Sequence, residues 1–117
     1  MNIQSERRGE VEVVFAKGRI DFAGAGIFRE ALLPYLDSCV AGGTALLLHL
    51  GGVDYISSAG LRELLIAAKK VKASGGRMMV CALQPTVSEV VRISRFDLVL
   101  NIADSAESAL QSLQAQA

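Results

Sequence analysis

The hydrophobic positions change their period along the chain, and the changes mark its elements. Residues 11–16, VEVVFA, alternate and then close on apolar residues, which is the period of a strand. Asn2 to Arg8 reads as a weaker partner strand, and Gly18 to Asp21, GRID, as a strand exit. Over 23–40 the period lengthens to that of a helix, with Ile27, Ala31, Leu32, Leu36 and Cys39 on one face. Pro34 lies inside this run and is expected to kink or break it. Glycines 42 and 43 then suit a left-handed C-terminal turn.

The second half repeats the alternation. Ala45 to Leu50, ALLLHL, is apolar throughout, which fits a strand covered on both faces. After two serines, Leu61, Leu64, Leu65, Ala68 and Val71 mark a helix face, while Arg62, Glu63, Lys69, Lys70 and Lys72 fall elsewhere. Ser74 to Gly76 stops that helix. Arg77 to Leu83 reads as a mostly buried strand, and 85–94 as a short helix opened by Pro85. Leu98 to Ile102 reads as a final strand. The closing helix, 104–114, has Asp104 or Ser105 as its cap and Glu107 three residues beyond Asp104. Gln114 to Ala117 reads as a frayed end. Strands followed by alternating helix and strand predict an α/β domain with a mixed sheet of four to five strands packed against about four helices.

Composition narrows the function classes. The chain has 117 residues, 51% of them hydrophobic, so one domain with a real core is expected. Twelve acidic and twelve basic residues cancel, which argues against nucleic acid as a partner. No apolar run approaches the roughly 18 residues that span a bilayer. The polar start lacks the core of a signal peptide, so a cytoplasmic location without membrane insertion is expected. Cys39 and Cys81 lie in apolar surroundings and read as buried, reduced thiols. With one histidine and no CxxC, neither a metal nor another cofactor is implied. His49, inside an apolar run, reads as a core or strand-end histidine.

The chemistry concentrates in VDYISSAGLRELL, Val53 to Leu65, where a strand gives way to a helix. Serine is a favoured N-cap, and one serine suffices for that. A hydrolase elbow would need glycine two before and two after its serine, but Ile56 precedes Ser58 by two. A phosphate-binding loop would need a glycine-rich run and a lysine at the helix start, and both are missing. No catalytic residue is therefore assigned. A serine at a helix N-terminus is also a good place to receive a phosphate, because negative charge is favoured there.

YISSAGLRELL, with the following KKVKASGGRMMVCALQPTVSEVVRISRFDLVLNI and the upstream GRID, resembles the bacterial anti-sigma factor antagonists of the STAS domain family. The resemblance runs from about 11 to 113 and implies a single STAS-like domain filling 1–117. It implies a non-enzymatic, partner-switching module. The unmodified form would bind a serine kinase of the histidine-kinase-like ATPase fold that is also the anti-sigma factor. Phosphorylation would block that binding, and a metal-dependent serine phosphatase would reverse it. On this chain the acceptor position falls on Ser58, with Ser57 as the alternative. Ser57 stands where the family often has aspartate, and Ala59 where it often has a second hydroxyl. Asp21 matches the aspartate near the acceptor. The implied partner surface comprises Asp21, Ile56, Ser57, Ser58, Ala59, Gly60, Arg62 and Glu63, with Lys69 at its rim. Some relatives serve instead as scaffold subunits of lipid-transport, stress or secretion complexes, which is the alternative reading.

Overall fold

The computed structural model describes residues 2–115. A hairpin of β1 (Asn2–Arg8) and β2 (Val11–Ile20) leads into α1 (Ala25–Ser38). Then follow β3 (Ala45–Ile56), α2 (Ser58–Ala73), β4 (Met78–Cys81), α3 (Pro85–Ile93), β5 (Ile102–Ala103) and α4 (Ala106–Ala115). One sheet holds the strands in the order β1-β2-β3-β4-β5. β1 pairs antiparallel with β2, and the other pairings are parallel. A helix connects each parallel step, as parallel pairing requires.

The sheet divides two apolar layers. Leu46, Leu48 and Leu50 of β3 join Phe28, Leu32 and Leu36 of α1 and Leu61, Leu64 and Val71 of α2. The alternate residues Ala45 and Leu47 face the other way, with Val11, Val13, Cys81 and, from α4, Ala109 and Leu113. Two-sided burial is why ALLLHL shows no alternation. The Arg77 guanidinium donates to the Leu113 carbonyl and ties α4 to the start of β4. Cys39 and Cys81 are buried, free thiols.

Several boundaries differ from those the pattern predicts, each for a local reason. The first helix starts at Ala25 and buries Ala25, Phe28, Leu32 and Leu36. Ile27 points outward, 60% exposed, because the bulkier Phe28 takes the core position. Pro34 does not break the helix. It lies on the exposed face, where water can satisfy the carbonyl that its missing N–H leaves free. β3 is twice the length of its apolar run and continues through Gly51 and Gly52 to Ile56. β2 likewise includes Gly18 to Ile20, so GRID is strand up to its aspartate. β4 is shorter than Arg77 to Leu83. The expected strand at Leu98–Ile102 is mostly absent. Arg95 adopts a left-handed φ of 63°, and Phe96–Leu98 forms a 3₁₀ turn. Leu98 is left 77% exposed, and β5 is confined to Ile102–Ala103. Of the two expected caps of α4, Ser105 is the one used, its Oγ accepting from the Ser108 N–H at 3.2 Å. Of the end expected to fray, Gln114 and Ala115 belong to α4, while Gln116 and Ala117 lie outside the described residues. No helix among the described residues is long and apolar enough to cross a membrane.

Candidate functional site at the serine turn

The serine turn sits at the end of a strand that outruns its neighbour. β4 stops opposite His49, yet β3 runs on for seven further residues beside β2. Two irregularities in the β2–β3 register accompany this overhang. Phe15 pairs with His49 but Lys17 with Gly52, and Gly18 pairs with Val53 but Arg19 with Tyr55. β3 therefore carries one extra residue at each place, and such bulges bend a strand. The backbone at the first bulge is held by side chains. The Gly51 N–H donates to His49 Nδ1 at 3.2 Å, and Gln84 Nε2 donates to the Gly51 carbonyl at 2.8 Å. His49 is thus a half-buried, hydrogen-bonded histidine within β3 rather than at its end, with its ring 4.9 Å from that of Phe15.

At the tip, Ile56 pairs with Ile20, and the Ser57 N–H donates to the Ile20 carbonyl at 2.7 Å. Asp21 follows Ile20 directly, so the two chain segments arrive side by side. Asp21 is exposed, and its Oδ1 accepts from the Gly24 N–H at 2.7 Å, shaping the entry to α1. Nearby, the Arg19 guanidinium lies 4.4 Å over the Tyr55 ring.

The two serines divide their work. Ser57 has extended backbone and is the N-cap of α2, with its Oγ accepting from the Gly60 N–H at 3.1 Å. Ser58 is the first residue of the helix, is exposed, and makes no side-chain hydrogen bond among the described residues. Gly60 explains how the helix comes so close to the strand ends. It is buried, and a Cβ there would lie 2.6 Å from Ile20 Cγ2 and 2.9 Å from Ile56 Cγ1. The first turn of α2 contains no acidic residue, and Lys70 and Lys72 sit in its last turn. The N-terminal end of the macrodipole therefore receives no compensating charge from its own first turn.

The implied partner residues fall into two groups. Asp21, Ser58 and Arg62 are exposed, and Ser57, Ala59 and Glu63 are half-buried, the last paired with Arg29 at 3.7 Å. Ile56 and Gly60 are buried and shape the turn from beneath rather than facing a partner. Lys69 is exposed two helical turns farther along α2. Leu61 and Leu64 are core. Sequence reasoning missed the His49–Gly51–Gln84 clamp and the Arg19–Tyr55 stack. The glycine pair in the middle of an apolar strand was the available sign of a bulge.

Comparison with known proteins agrees with this architecture. The chain is 33% identical over 109 residues to BtrV of Bordetella bronchiseptica, provisionally named an anti-sigma factor antagonist, covering 93% of this chain and 91% of that protein. The fold resembles an anti-sigma factor antagonist from Mycobacterium paratuberculosis, with a TM-score of 0.84, 24% identity and coverage of 97% and 93% of the two chains. It also resembles the phosphorylated form of the Bacillus cell fate determinant SpoIIAA, with a TM-score of 0.66, 18% identity and coverage of 95% and 98%. The STAS domain model matches residues 2–109, and the chain belongs to the STAS domain family.

Proposed function

We propose that this chain is an anti-sigma factor antagonist that works as a phospho-switched binding module, with Ser58 as the switch. The observation that carries the reading is the division of labour between the serines. The Ser57 hydroxyl is committed to the Gly60 N–H, whereas the Ser58 hydroxyl is exposed and uncommitted. The relative named as an anti-sigma factor antagonist and the phosphorylated relative of the same fold support it.

The unmodified form binds a serine kinase of the histidine-kinase-like ATPase fold, which is also the anti-sigma factor, in the cytoplasm. The face that docks comprises Asp21, Ser57, Ser58, Ala59, Arg62 and Glu63, and the binding unit is the single domain of 1–117. In the switching step, Ser58 Oγ forms a bond to the γ-phosphorus of ATP. The bond to the β-phosphate oxygen breaks, ADP leaves, and the hydroxyl proton passes to a base on the kinase. A metal-dependent serine phosphatase restores the hydroxyl by delivering water to the phosphorus: the bond to Ser58 Oγ breaks, inorganic phosphate leaves, and Oγ takes up a proton. This chain supplies the acceptor and no catalytic residue.

The physics of the turn suits this role. A phosphate adds about −1.5 to −2 charge at neutral pH. At the first residue of α2 that charge meets the unpaired N–H groups and the positive end of the dipole, so the fold tolerates it. What changes is the surface a partner meets. The test is a pull-down from native lysate with Ser58→Ala and Ser58→Glu as paired baits. A serine kinase recovered by the alanine bait and not by the glutamate bait is expected. Recovery of the same transport or secretion subunits by both baits would replace the switch with a scaffold role.

A further inference from the structure

The cations on α2 are of two kinds. Lys70 pairs with Asp37 of α1 at 3.2 Å, and in the same seam Arg29 of α1 pairs with Glu63 at 3.7 Å. Arg62 and Lys69 make no ion pair or side-chain hydrogen bond among the described residues, and both are exposed. Arg62 stands four residues after Ser58. Side chains lean toward the N-terminus of their helix, so Arg62 covers the turn that Ser58 begins. Its other neighbours at helical spacing are Ala59, Leu65 and Ile66, none of them charged. Glu63, the only acidic residue of α2, follows Arg62 directly but pairs with Arg29, so Arg62 has no ionic partner among the described residues.

We propose that Arg62 is the intramolecular receiver of the phosphate on Ser58. The inference rests on Ser58 being the acceptor and adds a second element to the switch. In the unmodified protein Arg62 is available to a partner, at the head of an exposed stripe that continues through Ile66, itself 50% exposed, to Lys69. In the modified protein the phosphate draws the guanidinium up one turn into a charge-assisted, bidentate pair. The same event that places negative charge on the docking face also removes its leading positive charge. An arginine suits this role better than a lysine, because its planar fork matches two phosphate oxygens at once.

The test needs no partner. Phosphoserine is installed at position 58 during translation, and the phosphorus resonance is titrated by ³¹P NMR in the full chain. The second phosphate pKa is expected to lie about 0.5 unit lower with Arg62 present than in the Arg62→Gln variant. Arg62→Lys should recover part of that difference, and Lys69→Gln should leave the value unchanged. Asp21, Asp54 and the helix N-terminus act equally in all four proteins, so the difference isolates the guanidinium. Arg62 is exposed and makes no ion pair or side-chain hydrogen bond among the described residues, so its substitution should leave the fold intact. Equal pKa values in the starting protein and Arg62→Gln, or an equal shift from Lys69→Gln, would overturn the proposal. Because the phosphate is installed during translation, this outcome is independent of whether a kinase modifies Ser58 in the cell.

Discussion

The two ends of the sheet are built to opposite standards. At the serine turn, β3 overhangs β4 and is fastened at each step. Side chains hold the bulge at Gly51, the Ile20 carbonyl takes the Ser57 N–H, and Gly60 seats α2 against Ile20 and Ile56. At the β4–β5 edge, two residues complete the sheet, and Leu98 and Val99 are left 77% and 48% exposed. Beside them lies an open groove of about 870 Å³ bounded by β4, the 97–102 segment and α4. An open groove thus lies at the loose edge, while the candidate switch sits on a tightly held turn. A residue that another protein must recognise in two chemical states benefits from one fixed position. An edge without such a task can end after two residues.

Mutations can test that contrast, beginning with the largest effect. Gly60→Ala should cost about 3 kcal/mol in urea unfolding, since the new methyl would overpack the junction of α2 with both strands. Leu98→Ala at the loose edge should stay within about 0.5 kcal/mol. If the edge substitution proves the costlier, the contrast fails.

Cys81, the last residue of β4, tests the point where β3 begins its overhang. Burial pushes its thiol from the usual 9.0 up to about 11. Its folded-state pKa lies above the unfolded one, so its share of stability is intact below about pH 9 and is lost as pH rises toward 11. The loss amounts to about 2 kcal/mol. A Cys81→Ala variant should show a shallower fall in melting temperature between these pH values than the starting protein.

The two serines provide a sharper pair. Ser57→Ala removes the cap and should cost about 1 kcal/mol. Ser58→Ala removes an exposed hydroxyl without a partner and should change stability by less than about 0.5 kcal/mol. Equal losses would mean that both hydroxyls are structural. Gln84→Ala should cost up to about 1 kcal/mol, by leaving the Gly51 carbonyl without its donor. Amide exchange at Val53 to Ile56 should quicken in the same variant.

What could be read from the sequence follows the same contrast. ALLLHL announced a two-sided buried strand because both of its faces pack. The Ser57–Gly60 segment announced a helix start because a serine cap acts locally. Which serine was the cap could not be read, since the choice depends on where β3 ends, and β3 runs past its apolar run through two glycines. The expected strand at Leu98–Ile102 failed for a different reason. Apolar residues there satisfied the pattern, but the left-handed turn at Arg95 diverted the chain before it could pair. Ile27 and Phe28 were exchanged because both fit helical spacing, and three-dimensional packing chose between them. The ion pairs that leave Arg62 unpaired depend on how α1 lies against α2, which no local pattern encodes.

The most direct measurement of the central claim is phosphosite mapping of the protein purified from its own cells. The tryptic peptide from Glu30 to Arg62 contains both serines of the turn, so fragment ions between Ser57 and Ser58 separate the two sites. The account predicts phosphate on Ser58 with Ser57 unmodified. Phosphate on Ser57, or a peptide recovered without phosphate across growth and starvation, would contradict it.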